Sequence, residues 1–321
     1  MSTIKEIAQM AGVSMMTVSR ALNSPEKVKD DVREKILSIA KALEYRPNQA
    51  ARALAAKKTG IVQVVVMSNM QSSDPYFMNL FVGIADYLSA NNYSIQISRS
   101  FDGQNRCDGI ITMGLKEGED EELYQKAKVP CVVFGKTNLP MDWVDVDNKG
   151  AIVQGIEYLT RIGHKNIGFI ALQMDEPYAK ERLEGYLEGM KQSQISIQPS
   201  WISYVNNTSD GGIDYAKALL VGNPNLTAVV CSSDLLALGV LEAAKLAGKE
   251  VPSELSIIGM DGIYLDKIST PYLSTVEQPV YQIGRELAQM LLERMEQPSK
   301  AVQRKIIPTR LVLQGTTSHM Q

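Results

Sequence analysis

The sequence predicts a small all-α head followed by an α/β body of two parallel-sheet lobes. Residues 1–47 show short helical periodicities with cap residues between them. From Gly60 onward strand-like and helical runs alternate, and the alternation starts afresh after residue 161. A chain of 321 residues, 45 % hydrophobic and 21 % charged, suits several folded domains and not a disordered or fibrous protein. No window approaches the ~18 uninterrupted apolar residues of a membrane span. Nor does Met1–Glu6 show an apolar stretch behind a basic start, so a cytoplasmic location without a membrane partner is expected.

Composition also bears on catalysis. Cys107, Cys131 and Cys231 share no C-x-x-C spacing, which argues against a disulfide framework or a structural zinc site. His164 and His319 are the only histidines. There is no G-x-G-x-x-G, no phosphate-binding loop and no H-E-x-x-H, so neither an enzyme nor a cofactor is expected.

The net charge of −3 hides an asymmetry. Residues 1–60 hold eleven Lys/Arg against six Asp/Glu, while the rest of the chain holds 22 against 30. A basic head on an acidic body points to a polyanion as the partner of the head.

The head elements follow in order. Thr3-Ile4-Lys5-Glu6 is a capping box, with Ile4, Ile7, Ala8 and Ala11 as an apolar face behind it. Gly12 supplies a turn, and Ser14 can cap a second helix from Met15 to Leu22 whose Val18, Ala21 and Leu22 pack inward. A third helix is expected from about Asp31 to Leu43. Two short helices joined by a glycine turn and backed by a third form a helix-turn-helix, which presents its second helix to a major groove.

These runs resemble the lactose-repressor (LacI/GalR) family. The residues that carry the resemblance are Thr3–Ala8, Ala11-Gly12-Val13-Ser14, Thr17–Asn23 and Tyr45-Arg46-Pro47-Asn48. It extends along nearly the whole chain. The resemblance implies that Met15, Met16 and Arg20 face base edges, while Ser14, Thr17, Ser19 and Asn23 hold phosphates. Arg20 has the fork that pairs with guanine, worth about 1–3 kcal/mol of discrimination. Residues 48–58 are expected to be a hinge helix and linker, with a short alanine-rich helical pattern over Asn48–Ala56 that is marginal in water alone. Asn48 is counted with the DNA contacts, and Leu54 matches a leucine wedged into the minor groove.

The body is similar to the periplasmic-binding-protein fold. Strands are expected at 61–67, 93–97, 109–113, 129–134 and 144–147, then at 167–171, 202–205, 227–231 and 256–259. One lobe is assigned residues 60–161 plus 277–306, the other 162–276 plus 307–321. Ligands in such sheets bind beyond the carboxyl ends of the strands. The resemblance makes Arg182 the grip on an effector and Asp261 an acceptor of its hydrogen bonds. Asp74, Tyr76 and Phe77 form a first-lobe loop with an aromatic for a pyranose face. Asp234 is either a ligand contact or a helix cap, and Asp147 and Asn207 complete the candidates.

One departure from the family pattern stands out: only Ser98–Cys107 bridges the second and third strands. A crossover that short predicts a first lobe lacking one helix. The tail from Gln314 has no leucine heptads, so a tail-built tetramer is not expected. The resulting expectation is a homodimeric repressor of carbohydrate genes on a pseudo-palindromic operator, governed by a sugar or sugar phosphate. The alternative is a global catabolite regulator with a phosphorylated carrier protein as corepressor.

Overall fold

The computed structural model describes residues 3–23, 25–43, 45, 58–67, 75–101, 103, 107–173, 176–207 and 209–320. These fall into two compact units, Met1–Thr59 and Gly60–Gln321.

In the head, α1 (Ile4–Ala11), α2 (Met15–Asn23) and α3 (Asp30–Ala42) close around Ile7, Val18 and Ile36, all fully buried. The capping box forms: the Glu6 amide donates to Thr3 Oγ1 at 3.3 Å, and the Thr3 amide to Glu6 Oε2 at 2.9 Å. Gly12 ends α1 at φ 72°, a left-handed conformation that an L side chain resists. Ser14 Oγ then accepts the Thr17 amide at 3.1 Å and starts α2.

In the body, one six-stranded sheet contains β1 (Ile61–Val66), β2 (Ser94–Ser98), β3 (Gly109–Met113), β4 (Cys131–Phe134), β5 (Asp142–Val146) and β11 (Arg304–Ile307). Its order is β11-β5-β4-β3-β1-β2, parallel throughout. The second contains β6 (Ile167–Leu172), β7 (Ile202–Val205), β8 (Ala228–Cys231), β9 (Ser256–Asp261), β10 (Ser274–Glu277) and β12 (Arg310–Val312), in the order β12-β10-β9-β8-β6-β7. It is parallel except for the antiparallel edge strand β12. Helices α4 (Pro75–Ala90), α5 (Glu119–Lys126) and α10 (Val280–Glu296) pack with the first sheet. Helices α6 (Asn148–Arg161), α7 (Pro177–Gln192), α8 (Ser209–Gly222) and α9 (Asp234–Leu246) pack with the second.

Two features differ from the sequence reading. Helix α6 was expected in the first lobe, yet it lies on the second sheet against α7. Gly185 and Gly189 of α7 make this possible, because a Cβ on Gly185 would stand 2.4 Å from the Lys149 carbonyl and one on Gly189 2.8 Å from Ile156 Cβ. The chain therefore changes lobes before Asn148. The strand β10 was not expected at all. Its Ser274 and Thr275 are fully buried and hydrogen-bonded, so the apolar run that signals an inner strand is absent.

Between β2 and β3 no helix occurs among the described residues. Strand β2 alternates Ser-Ile-Gln-Ile-Ser, the pattern of a strand wetted on one face. Ser94 and Gln96 are exposed and Ile95 packs on the core, while Ile97 near the strand end is itself 51 % exposed; Gln63 Nε2 donates to Ser98 Oγ at 2.9 Å. Polar side chains thus occupy the face that a further helix would otherwise cover.

Candidate functional site

On the head, α2 turns Val18 and Ala21 into the core, which leaves the opposite face outward. Met15 and Met16 are 56 % and 63 % exposed, and Arg20 is exposed beside them. Ser14 is exposed, and Thr17 and Ser19 are half-buried. Asn23 is the last residue of α2. Two apolar side chains at the start of a short helix and a guanidinium in its last turn, all in water, suit base edges, where an apolar contact meets a thymine methyl and a fork meets guanine. Asn48 and Leu54 lie outside the described residues, as does Asp74 of the body.

Between the lobes of the body lies a cavity of about 1200 Å³, lined by the loops beyond the carboxyl ends of both sheets. Arg182 reaches it from α7 and is 6 % exposed. Its Nε donates to Asn148 Oδ1 at 2.9 Å and its Nη1 to the Ser232 carbonyl at 2.6 Å, while its guanidinium lies 5.0 Å from the Tyr178 ring centroid. These contacts fix the plane of the fork.

Asp261 ends β9 at φ 139°, unusual for a residue with a side chain, and its carboxylate faces the cavity. Its Oδ1 accepts Gln278 Nε2 at 2.9 Å, and Gln278 Oε1 accepts the Tyr76 hydroxyl at 2.9 Å. Gln278 sits just after β10, where the chain returns to the first lobe. The relay therefore links a first-lobe aromatic to a second-lobe carboxylate. Tyr76 also stacks with Phe134, centroids 6.2 Å apart at 23°. Burial and the Asp261 charge hold the Tyr76 phenol well above its ordinary pKa, so it is a neutral donor.

Ion pairs also cross the cleft. Lys136, after β4, is held by both Glu181 carboxylate oxygens at 2.7 Å, and Lys180 of α7 pairs with Glu117 of the first lobe. Beneath the first pair, Asp145 is buried, and that burial pushes its carboxyl up to about 6. Asn207 lines the cavity and accepts the Ser233 hydroxyl at 2.7 Å.

Three expected contacts take other positions. Phe77 is 5 % exposed and packs with Phe81 in the core, because α4 turns it away from the cleft as it turns Tyr76 toward it. Asp147 is an exposed cap of α6, accepting the Gly150 amide at 2.9 Å. Asp234 is fully buried behind Asp261, accepting the Thr275 hydroxyl at 2.6 Å and the Gly262 amide at 2.8 Å. The cap of α9 is Ser233, not Asp234. Among the lining residues, Phe134, Lys136 and Asn148 lie at or just after expected strand ends and Glu181 adjoins Arg182 in its motif, whereas Asp145, Tyr178 and Gln278 were not among the expected contacts. Only the tertiary fold brings these last three to the cavity. Among the described residues no group of three or more His, Cys, Asp or Glu could hold a metal ion. No helix there is long and apolar enough to cross a membrane.

A head with one exposed recognition face and a body with a two-lobed cleft define a ligand-responsive DNA-binding regulator. Residues 3–48 match the model of bacterial regulatory proteins of the lacI family, and residues 156–317 match the periplasmic binding protein-like domain. The chain is 36 % identical over 318 residues to an uncharacterized HTH-type transcriptional regulator, YvdE, of Bacillus subtilis (strain 168), covering 99 % of this chain and all of that one. It is 31 % identical to the HTH-type transcriptional repressor CytR of Escherichia coli (strain K12), over 98 % and 96 % of the two chains. Among solved structures, the complex of the transcriptional regulator CelR with cellobiose matches at a TM-score of 0.76 and 27 % identity, covering 98 % of this chain and all of that one. The chain belongs to the LacI family and is a DNA-binding transcriptional regulator.

Proposed function

We propose that the chain represses genes of carbohydrate uptake or breakdown in the cytoplasm. It binds a pseudo-palindromic operator as a homodimer, one head per half-site, and answers to a small sugar-type effector held in the cleft. The observation that carries this reading is the union in one chain of the outward Met15–Met16–Arg20 face and a cleft furnished with Arg182, Asp261 and the Tyr76–Phe134 stack. In this reading Ser14, Thr17, Ser19 and Asn23 hold phosphates, and Asn48 and Leu54 act in the hinge. Support comes from relatives named as a repressor and as a cellobiose complex. Met78 and Val82, 47 % and 43 % exposed on successive turns of α4, favour a face for a second copy.

The proposed switch is a change of lobe seating. A ligand that takes over Asp261 or Arg182 alters the Tyr76–Gln278–Asp261 relay and the ion pairs across the cleft, and a coupling of about 1–3 kcal/mol suffices for derepression. The test is fluorescence anisotropy on fragments from upstream of carbohydrate genes, with and without sugars. The expected result is specific binding that a sugar changes at least fivefold. Arg182→Lys, which keeps the charge and loses the fork, should abolish the sugar response and leave ligand-free DNA affinity within twofold. An unchanged sugar response in that variant would contradict the role given to Arg182.

A further inference from the structure

We infer that the cleft takes an uncharged oligosaccharide of two or more rings and rejects the phosphorylated form of the same sugar. The inference rests on the reading of the cleft as the effector site and narrows the ligand class within it.

Charge is the first argument. The cavity lining carries eight carboxylates against four cations. None of the cations stands idle. Lys136 is gripped by both oxygens of Glu181, Lys180 pairs with Glu117, Arg182 is tied to Asn148 and the Ser232 carbonyl, and Lys116 is partnered as well. A phosphate would have to share one of these cations with its present partner and then sit among surplus negative charge. It is therefore disfavoured both by that competition and by the field it enters.

Helix ends supply the second, independent argument. Phosphates are commonly held at helix N-termini, where backbone amides and the dipole favour an anion. Four of the helices that open near this cleft have their own acids at those positions. Asp147 caps α6, Glu176 stands at the N-cap of α7, Glu119 and Asp120 occupy the first turn of α5, and Asp234 that of α9. Asp261 additionally accepts the Asp234 amide at 3.4 Å. An incoming phosphate meets a carboxylate at each of these ends.

Hydroxyls fare differently. Asp261, Asp145, Asn148, Asn207 and Gln278 are also partnered within the protein, but a ring hydroxyl, which both donates and accepts, can take the place of such a partner without adding charge. The Tyr76–Phe134 stack supplies an apolar wall for one pyranose face. Size sets the number of rings. About 1200 Å³ exceeds the ~300–1,000 Å³ typical of sites for drug-sized ligands. A single pyranose would leave most of that volume to water, and each further ring takes up more of it. The reaction that supplies such an effector must deliver the sugar unphosphorylated, as uptake without group transfer does.

The test is isothermal titration of the full chain with gluco-, galacto- and fructo-configured di- and trisaccharides, the corresponding monosaccharides, and the phosphate ester of each sugar. Inorganic phosphate serves as the anion control. The expected result is that at least one neutral di- or trisaccharide binds, its monosaccharide at least tenfold weaker and its phosphate ester at least tenfold weaker. Glu181→Gln, which releases Lys136, should narrow the gap between neutral sugar and ester at least threefold. An ester binding as tightly as its parent overturns the inference and leaves the sugar reading intact, and a monosaccharide binding best overturns the ring number. If no member of either series binds while operator binding persists, the sugar reading itself falls and this inference with it.

Discussion

Arg20 and Asp145 show how single side chains can be argued from their surroundings. Arg20 is exposed on a helix whose other face is core, so removing it costs the fold little and the interface much. Arg20→Ala should lose about 1–3 kcal/mol of preference for operator over mismatched DNA. Salt-dependent nonspecific binding, which rests on phosphate contacts, should remain. Competition titrations at two salt concentrations read both quantities, and unchanged preference would remove Arg20 from the reading set. Asp145 is a stability case. Burial, with Glu181 nearby, raises its carboxyl from the ordinary 3.8 to about 6. Between those values the folded chain holds a proton that the unfolded chain has released. Asp145 therefore subtracts stability as pH rises through that window, and the full loss is present above it. Asp145→Asn should gain about 1–3 kcal/mol over wild type near pH 7.5 compared with the difference near pH 4. Urea denaturation at both pH values measures this, and equal differences would contradict it. That Arg182 and Asp261 reach the cavity was legible in the sequence because each sits in a motif, Glu-Arg-Leu-Glu-Gly-Tyr and Gly-Met-Asp-Gly. The position of Gln278 was not, since it arises only where separate segments converge.

Among the elements, the α6–α7 pair is the joint on which the lobe boundary turns. Gly185→Ala places a methyl 2.4 Å from the Lys149 carbonyl, so the helices must part or strain. A loss of about 1–3 kcal/mol is expected, seen as a lower Tm with DNA contacts untouched. An unchanged Tm would mean the helices have slack that the packing does not show. Helix α6 was assigned to the wrong lobe because amphipathic periodicity shows that a helix has an apolar face, not which sheet the face meets. The buried strands were legible from runs such as Ile-Val-Gln-Val-Val-Val of β1, whereas β10 hides its burial behind Ser274 and Thr275. That no crossover helix occurs there among the described residues could be anticipated from length alone. Its accommodation lies in the polar alternation of β2, so the short linker and the wetted face are consistent with each other.

At the scale of the whole molecule, the chain divides its tasks by charge: a basic helical unit with an exposed apolar and cationic face, and an acidic two-lobed unit with a cleft. Fold class was legible because it depends on the order and period of elements. The ligand was not, because its selection depends on how carboxylates, paired cations and helix ends surround one volume. The most direct test of the account is a footprint of the purified full-length chain on fragments of its own genome, at low and moderate ionic strength. The account predicts protection of a two-fold pseudo-palindrome upstream of carbohydrate genes, altered by a neutral sugar. Failure to protect any double-stranded fragment at low ionic strength, with or without sugars, would contradict it.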